Sequence, residues 1–386
     1  FKKSLKSFQT ESKKVEILNN FISPSIETMF YYDMILNKYK IKEGFYSGIK
    51  KKTPGSGYID FHNNNLFLIS SRGITSYGSQ YKDKFIFKQI KNNIEKFINL
   101  DQFIKNRWFS IKDLYILDNK IFISYTEEIE KNCWNTSVIF TEINYEYLKF
   151  KKLFSPKNCI HAFKNIDNEF NAQQSGGRII SLNKDKILLT IGDYRSRYLS
   201  QDSSSINGKI LKIDINDKSY EIISMGHRNP QGLFYDKQKK YLLSTEHGPK
   251  GGDEINLINI NKNNLPNYGW PIVSYGEHYE KKTKKNYNKF IKYPLLKSHR
   301  KNNFIEPLKY FVPSIGISEI VKTNKNIYIA SSLKNKSIYT FKINEENEII
   351  NFEKIFIGER IRDLIFNNNK LYLFFESTAT LGIINF

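Results

Sequence analysis

The sequence predicts an all-β protein, a six-bladed β-propeller of four-stranded antiparallel sheets, and three observations point to it. A hairpin unit recurs six times: an apolar strand, a polar turn rich in Asn, Asp and Lys, then a second apolar strand. Turn formers between runs of β-branched and aromatic residues are the signature of a β-hairpin. The second strands of these units begin near residues 66, 121, 187, 241, 327 and 371, a spacing of about 60 residues that suits one four-stranded blade with its loops. The 386 residues exceed what one hydrophobic core comfortably serves, yet no low-complexity linker divides them. A closed ring of repeats, each sheet packed on its neighbours, resolves both facts. We therefore read residues 1–386 as a single propeller domain.

Taken in order, residues 1–45 carry a candidate amphipathic helix around Ile26–Tyr39 and a short strand near Val15–Leu18. One of the two is expected to close the ring against the last strand, Leu381–Phe386. The six hairpins follow as IDFHNNNLFLIS (59–70), LYILDNKIFIS (114–124), RIISLNKDKILLT (178–190), GLFYDKQKKYLLST (232–245), EIVKTNKNIYIAS (319–331) and DLIFNNNKLYLFF (363–375). The long interval between the fourth and fifth units, residues 259–313, reads as a loop excursion over one face.

Composition narrows the class. With 40% hydrophobic and 15% aromatic residues the chain is globular. No stretch approaches the roughly 18 uninterrupted apolar residues of a membrane span. It begins at Phe1 without an apolar leader core, so a leader has been removed or the front is trimmed. A net charge of +21 invites a nucleic-acid partner. The lysines, however, are spread along the whole length among Asn, Ile, Tyr and Phe, the residue bias of an AT-rich genome. Runs such as Lys281-Lys282-Thr283-Lys284-Lys285 are short and lie in loops, so the charge reads as a solvated surface, without a nucleic-acid partner.

The chemistry concentrates between Gly226 and Pro271, where GHRNPQGLFY (226–235), STEHGPKGGDEINLI (244–258) and NYGWP (267–271) place three tight polar turns on short apolar strands. Three linked motifs in this order resemble the glucose/sorbosone dehydrogenase family, soluble sugar dehydrogenases that use pyrroloquinoline quinone (PQQ) and calcium. The resemblance is strong over residues 170–275, moderate over 310–376 and weak before 105. It implies that Arg228 and Asn229 contact the quinone, that Lys334 in SSLKN meets a carboxylate, and that Arg360 and Arg362 in ERIRD form a paired arginine site. Residues i and i+2 of a strand share a side, and the planar guanidinium fork suits the cofactor's carboxylates. The resemblance also implies calcium on the Gly248 and Pro249 carbonyls, with Asp253, Glu254 and the Tyr268 carbonyl as a second calcium set; backbone carbonyls are good calcium ligands. The plain alternative for Asp253-Glu254 is a capped turn before the following strand. A glutamine that the family contributes from an early blade has no counterpart that can be placed.

The family's catalytic base is a histidine four residues before the arginine of a GR motif, oriented by an aspartate at the end of the next strand. Here the segment is NAQQSGGRIISLNKDKILLTIGD (171–193): the aspartate is Asp193, but the base position is Gln174. Glutamine can donate to Asp193 and accept from a hydroxyl but has no useful basicity near pH 7. Asp193 itself, or more remotely His161, are the candidates to stand in. His227 and His247 read as loop braces, and His62, His278 and His299 show no metal-ligand spacing. No P-loop, dinucleotide fingerprint or G-x-S-x-G motif is present.

Two readings follow. The first is a periplasmic or secreted enzyme that oxidises an aldose sugar, polyol or related alcohol by hydride transfer to PQQ, passing electrons to a soluble acceptor, with Gln174, Asp193 and Arg228 at the reacting centre. The alternative is a non-catalytic propeller that binds sugar, PQQ or another anion without turnover. A propeller for polyanions or partner proteins is a third, remoter reading. Cys133 and Cys159 are either free thiols or a disulfide; the exported location that the resemblance implies favours the disulfide.

Overall fold

The computed structural model describes residues 20–22, 25–28, 34–41, 57–81, 84–98, 110–260 and 264–385. The strand proposed near Val15–Leu18 and the final Phe386 lie outside them. Three short strands come first: β1 (Asn20–Ile22), β2 (Ser25–Thr28) and β3 (Ile35–Lys40). Six antiparallel sheets then follow as blades. Blade one is β4 (Gly57–His62), β5 (Asn65–Ser70), β6 (Thr75–Tyr81) and β7 (Lys84–Asn92), with β1 added at its outer edge. Blade two is β8 (Ile111–Leu117), β9 (Lys120–Glu130), β10 (Cys133–Glu142) and, after the two-residue β11 (Tyr147–Leu148), β12 (Lys151–Phe154). A further short strand, β13 (Ile160–His161), pairs with the start of β10.

Blade three is β14 (Gly176–Asn183), β15 (Lys186–Ile191), β16 (Lys209–Asp214) and β17 (Tyr220–Met225). Blade four is β18 (Pro230–Asp236), β19 (Tyr241–Glu246), β20 (Asp253–Asn259) and β21 (Lys309–Phe311). The excursion after β20 therefore ends by supplying this blade's outer strand; it also holds a one-and-a-half-turn helix, α1 (Tyr287–Lys292). Blade five is β22 (Ile317–Lys322), β23 (Tyr328–Ser332), β24 (Ser337–Ile343) and β25 (Ile349–Phe356). Blade six is β26 (Ile361–Asn367), β27 (Lys370–Phe375) and β28 (Thr380–Asn385), completed by β3 and β2.

The six hairpins seen in the sequence are the two innermost strands of the six blades. Their turns adopt left-handed backbone at Asn63, Asp118, Asn326, Asn368 and Asn369, which explains why Asn and Asp crowd there. The helix expected around Ile26–Tyr39 is corrected: Ser25–Thr28 and Ile35–Lys40 form an antiparallel pair, and the latter pairs in turn with β28. Buried Leu36 and Tyr39 sit three apart, a spacing that mimics a helical stripe. Pairing with the open edge of β28 decides the matter, because it satisfies the backbone groups of both strands.

Apolar side chains on both faces of each blade build six separate cores, one at each boundary between neighbouring blades. At the axis the inner strands β4, β8, β14, β18, β22 and β26 contact one another in a closed circle. A single side chain spans it. Arg178 of blade three donates to Asp113 of blade two (2.6 Å), Asp363 of blade six (2.9 Å) and the Gln231 carbonyl of blade four (3.0 Å), pairs with Glu319 of blade five, and lies over the Tyr58 ring of blade one.

Candidate functional site

In an antiparallel blade the end of the second strand and the start of the first lie at the same face. The residues proposed for chemistry occupy those two positions. Asp193 follows β15, Gly248 and Pro249 follow β19, and Lys334 follows β23; Gln174 precedes β14, Arg228 and Asn229 precede β18, and Arg360 precedes β26. Arg362 is the second residue of β26, at a β-bulge between Ile361 and Asp363.

The centre of the site is a network around Asp193. In the amide orientation that satisfies its neighbours, Gln174 donates to Asp193 Oδ1 (2.9 Å), and its oxygen accepts from Arg228 Nη2 (2.9 Å) and Arg195 Nε (3.3 Å). Asp193 also accepts from the Arg195 amide (2.8 Å) and from the Trp270 indole (2.8 Å). Burial pushes the Asp193 carboxyl above its ordinary range, against the opposing pull of Arg228 and of these hydrogen bonds. Tyr194 and Arg195 both adopt left-handed backbone (φ 51° and 70°). Such conformations are costly for non-glycine residues and tend to gather at functional sites. Here they are clamped: the Tyr194 amide donates to the Gln174 carbonyl (2.9 Å), the Asp193 amide to the Arg228 carbonyl (2.9 Å), and the Tyr194 hydroxyl meets Thr136 Oγ1 (2.8 Å). Cys133 and Cys159 form a disulfide. It ties the start of β10 to the approach to β13, and so anchors the stretch that runs on to Gln174.

Arg228 continues the network. Its Nη1 donates to the His247 and Gly248 carbonyls (2.8 and 2.6 Å), its amide donates to Glu246, and its guanidinium lies 5.4 Å from the Trp270 ring centre. Asn229 Oδ1 accepts from the Gly176 amide (3.1 Å) and from Gln231 Nε2 (3.0 Å), and Gln231 Oε1 accepts from Arg362 Nη1 (3.2 Å). An unbroken polar chain thus joins the Gln174 turn to blade six. Arg360 and Arg362 do meet one carboxylate together, but it is the protein's own. Glu376 Oε1 accepts from Arg360 Nε and Nη2 (2.9 and 2.7 Å), and Glu376 Oε2 from Arg362 Nε (2.8 Å). Lys334 is exposed, and its ammonium has no hydrogen-bond or ion-pair partner among the described residues.

The turns beside Arg228 are heavily braced. His227 Nδ1 donates to Glu246 (2.9 Å) while its Nε2 meets Ser224 Oγ (2.8 Å), and His247 donates to the Ile317 carbonyl. Gly226, at φ 77°, packs against the Asn267–Gly269 turn so closely that a β-carbon would collide with it.

The donors differ in how well they suit the two proposed groups. Of the expected cations, Lys334 and Arg360 Nη1 have no partner among the described residues and suit an organic polyanion, whereas Arg362 already gives Nε, Nη1 and Nη2 to Glu376 and Gln231. For calcium, the Pro249 carbonyl meets only the Ser314 hydroxyl at 3.4 Å, while the Gly248 carbonyl already faces Arg228. Asp253 accepts from three backbone amides, those of Gly248 (3.2 Å), Gly316 (2.6 Å) and Ile317 (3.1 Å), so its carboxylate brackets two blades. Glu254 faces His299 Nε2 at 3.4 Å, and the Tyr268 ring stacks on His227. A second calcium would therefore draw on Glu254 and the Tyr268 carbonyl alone of the expected set. Among the described residues no group of three or more His, Cys, Asp or Glu side chains is arranged to hold a metal.

Sequence reasoning missed Gln231, Trp270, Arg195 and Glu376. Position was the available signal for two of them: Gln231 opens β18 and Glu376 follows β27, on the same edge as the rest.

A family model described as Glucose / Sorbosone dehydrogenase matches residues 110–382. The chain belongs to that family. Among similar proteins, an uncharacterized protein of Synechocystis is 31% identical over 222 residues, a match covering 50% of each chain. The aldose sugar dehydrogenase YliI of Escherichia coli is 26% identical over 270 residues, 64% of this chain and 67% of that one. In fold, a glucose dehydrogenase crystal structure superposes with a TM-score of 0.71 at 18% identity, over 90% of this chain and 98% of the other. The PQQ-bound form of aldose sugar dehydrogenase from Streptomyces coelicolor gives 0.61 at 15% identity, over 91% and 98%. No helix among the described residues is long and apolar enough to cross a membrane.

Proposed function

We propose that this glucose/sorbosone dehydrogenase family member binds PQQ on its central face and oxidises an aldose sugar or related alcohol there, in the periplasm or outside the cell, with a soluble electron acceptor. Arg228, Asn229, Lys334, Arg360 and Arg362 are the cofactor-binding set, and calcium would rest on the Pro249 carbonyl and, once Arg228 Nη1 gives it up, on the Gly248 carbonyl. The observation that carries this reading is the polar chain from the Gly176 amide, in the Gln174 turn, through Asn229 and Gln231 to Arg362. It links the turn before blade four to Arg362 of blade six, which supports one shared pocket for a planar polycarboxylate. That an S. coelicolor relative of the same fold is a PQQ-bound aldose sugar dehydrogenase supports it.

When bound, the quinone supplies the hydride acceptor and calcium polarises it. The chain's residues supply position. Arg228 holds negative charge at the quinone edge, Trp270 and the Arg195 amide fix Asp193, and Asp193 fixes Gln174. The Gln174 oxygen can accept from a substrate hydroxyl but cannot take its proton. A lost general base costs about 10²- to 10⁴-fold in rate, so slow turnover is expected.

The second reading, binding without turnover, is favoured by one observation: the Gln174 oxygen is already engaged by both Arg228 and Arg195. One titration separates the two. Protein supplied with calcium and PQQ should develop a bound-quinone absorption spectrum, and aldoses should bleach it. A spectrum that forms and is never bleached by any aldose or polyol supports the non-catalytic reading. No spectrum at all removes PQQ from both.

A further inference from the structure

A β-bulge opens the inner strand in five of the six blades: the register shifts at Ile111/Asp113, Gly176/Ile179, Pro230/Gly232, Ile317/Ile320 and Ile361/Asp363. A bulge inserts one extra residue and re-aims its side chain, often beside a site. In blades four and six the extra residues are Gln231 and Arg362, which bond to each other in the proposed pocket (3.2 Å). In blade two the extra residue is Lys112.

Two further facts put Lys112 level with those residues. The next residues along, Asp113 and Asp363, both accept from the same Arg178 nitrogen (2.6 and 2.9 Å), so their strands are in step at the axis. The corresponding stretch of blade three is Gly176-Gly177, and a β-carbon on Gly177 would run into Lys112 Cβ. That glycine leaves the space the lysine stem crosses. Blade five has small Ser318 at this level, bonded to Ser331 Oγ (2.8 Å) and the Ile361 carbonyl (2.6 Å). Small residues in blades three and five thus flank three long polar ones in blades two, four and six.

We infer that Lys112 is a ligand-binding residue of the central pocket, the third bulge-borne side chain beside Gln231 and Arg362, offering its ammonium to a carboxylate of the bound quinone. The inference rests on the PQQ reading above. Lys112 is half-buried, and desolvation together with the nearby Arg362 charge lowers its amine to about 7.

Calorimetric titration of PQQ, with calcium, into wild type, Lys112→Arg, Lys112→Gln and Lys112→Met tests this. The neutral variants should weaken binding about ten-fold or more, as expected for a lost charge-assisted hydrogen bond. Lys112→Arg should stay within about three-fold, a rescue that mere packing of the stem would not give. Thermal midpoints, and two neutral variants of different polarity, guard against loss of fold. Wild-type binding left unchanged in both neutral variants overturns the inference and leaves the PQQ reading standing. If wild type binds no PQQ, that reading fails, and citrate, a tricarboxylate, decides for Lys112: weaker citrate binding in the neutral variants supports it, and equal or undetectable binding overturns it.

Discussion

At Gln174 one side chain decides whether the pocket can move a proton. Asp193 is buried, oriented by Trp270 and the Arg195 amide, and turned toward the Gln174 amide at 2.9 Å. That is the arrangement a histidine would need to present its far nitrogen to a substrate hydroxyl. Gln174→His should therefore raise PQQ-dependent aldose oxidation by about 10²-fold or more, with a rate that climbs with pH as the imidazole loses its proton. PQQ affinity should change little, since the cations that hold it are untouched. Steady-state rates with a dye acceptor across pH 5–9 check this. A variant that binds PQQ yet oxidises none of a panel of aldoses and polyols would show that more than the base is missing. The replacement was legible in the sequence because motif spacing counts residues. What the sequence could not display is that Arg228 and Arg195 already occupy the glutamine's oxygen, which depends on the left-handed turn at Tyr194 and Arg195.

At the scale of the hairpin, β26 and β27 carry a closed charge unit. Burial works to raise the Glu376 carboxyl, but Arg362 and Arg360 outweigh it and hold the group at about 2 rather than 4.5. A carboxyl depressed in the fold stabilises fully above its unfolded value, and that stabilisation is lost as pH falls through its folded value. Glu376→Gln should cost about 3 kcal/mol at pH 7, because it leaves two guanidiniums facing each other. It should also flatten the loss of stability between pH 4.5 and 2, which thermal unfolding over that range reads. Equal pH profiles for variant and wild type would mean the unit adds nothing to the hairpin. The two arginines were readable from ERIRD; their internal partner was not, because nothing in FFESTAT marks a glutamate as facing a residue 16 positions earlier. The same gap between local pattern and tertiary pairing turned Ile26–Tyr39 into an expected helix.

Across the whole molecule, hairpin spacing made the blades legible, since each innermost pair is local in sequence and bounded by its own turn. The axis was not. Arg178 reaches partners 65 and 185 residues away, and in the sequence it was no more than a landmark for counting back to Gln174. Three carboxylates share this one guanidinium, and burial raises all of them, Glu319 to about 8 and Asp113 and Asp363 as well. Arg178→Met should cost about 3–5 kcal/mol at pH 8, the usual result of stranding buried charge. The deficit should shrink toward pH 5 as the stranded carboxyls take up protons. Denaturant unfolding at the two pH values measures both effects; a small, pH-independent loss would mean the hub contributes little to closing the ring.

Closure itself sets an order of events during synthesis. β3 is made before any blade, yet its pairing partners are residues 380–384 of β28. Until those leave the ribosome, the growing chain is an open arc with bare sheet edges at both ends, the kind of edge that recruits other chains. A message cut short before residue 380 would yield not a smaller ring but a sticky crescent. A circularly permuted gene that moves the stretch through residue 40, β2 and β3 included, behind residue 385 would instead let blade six finish from contiguous chain.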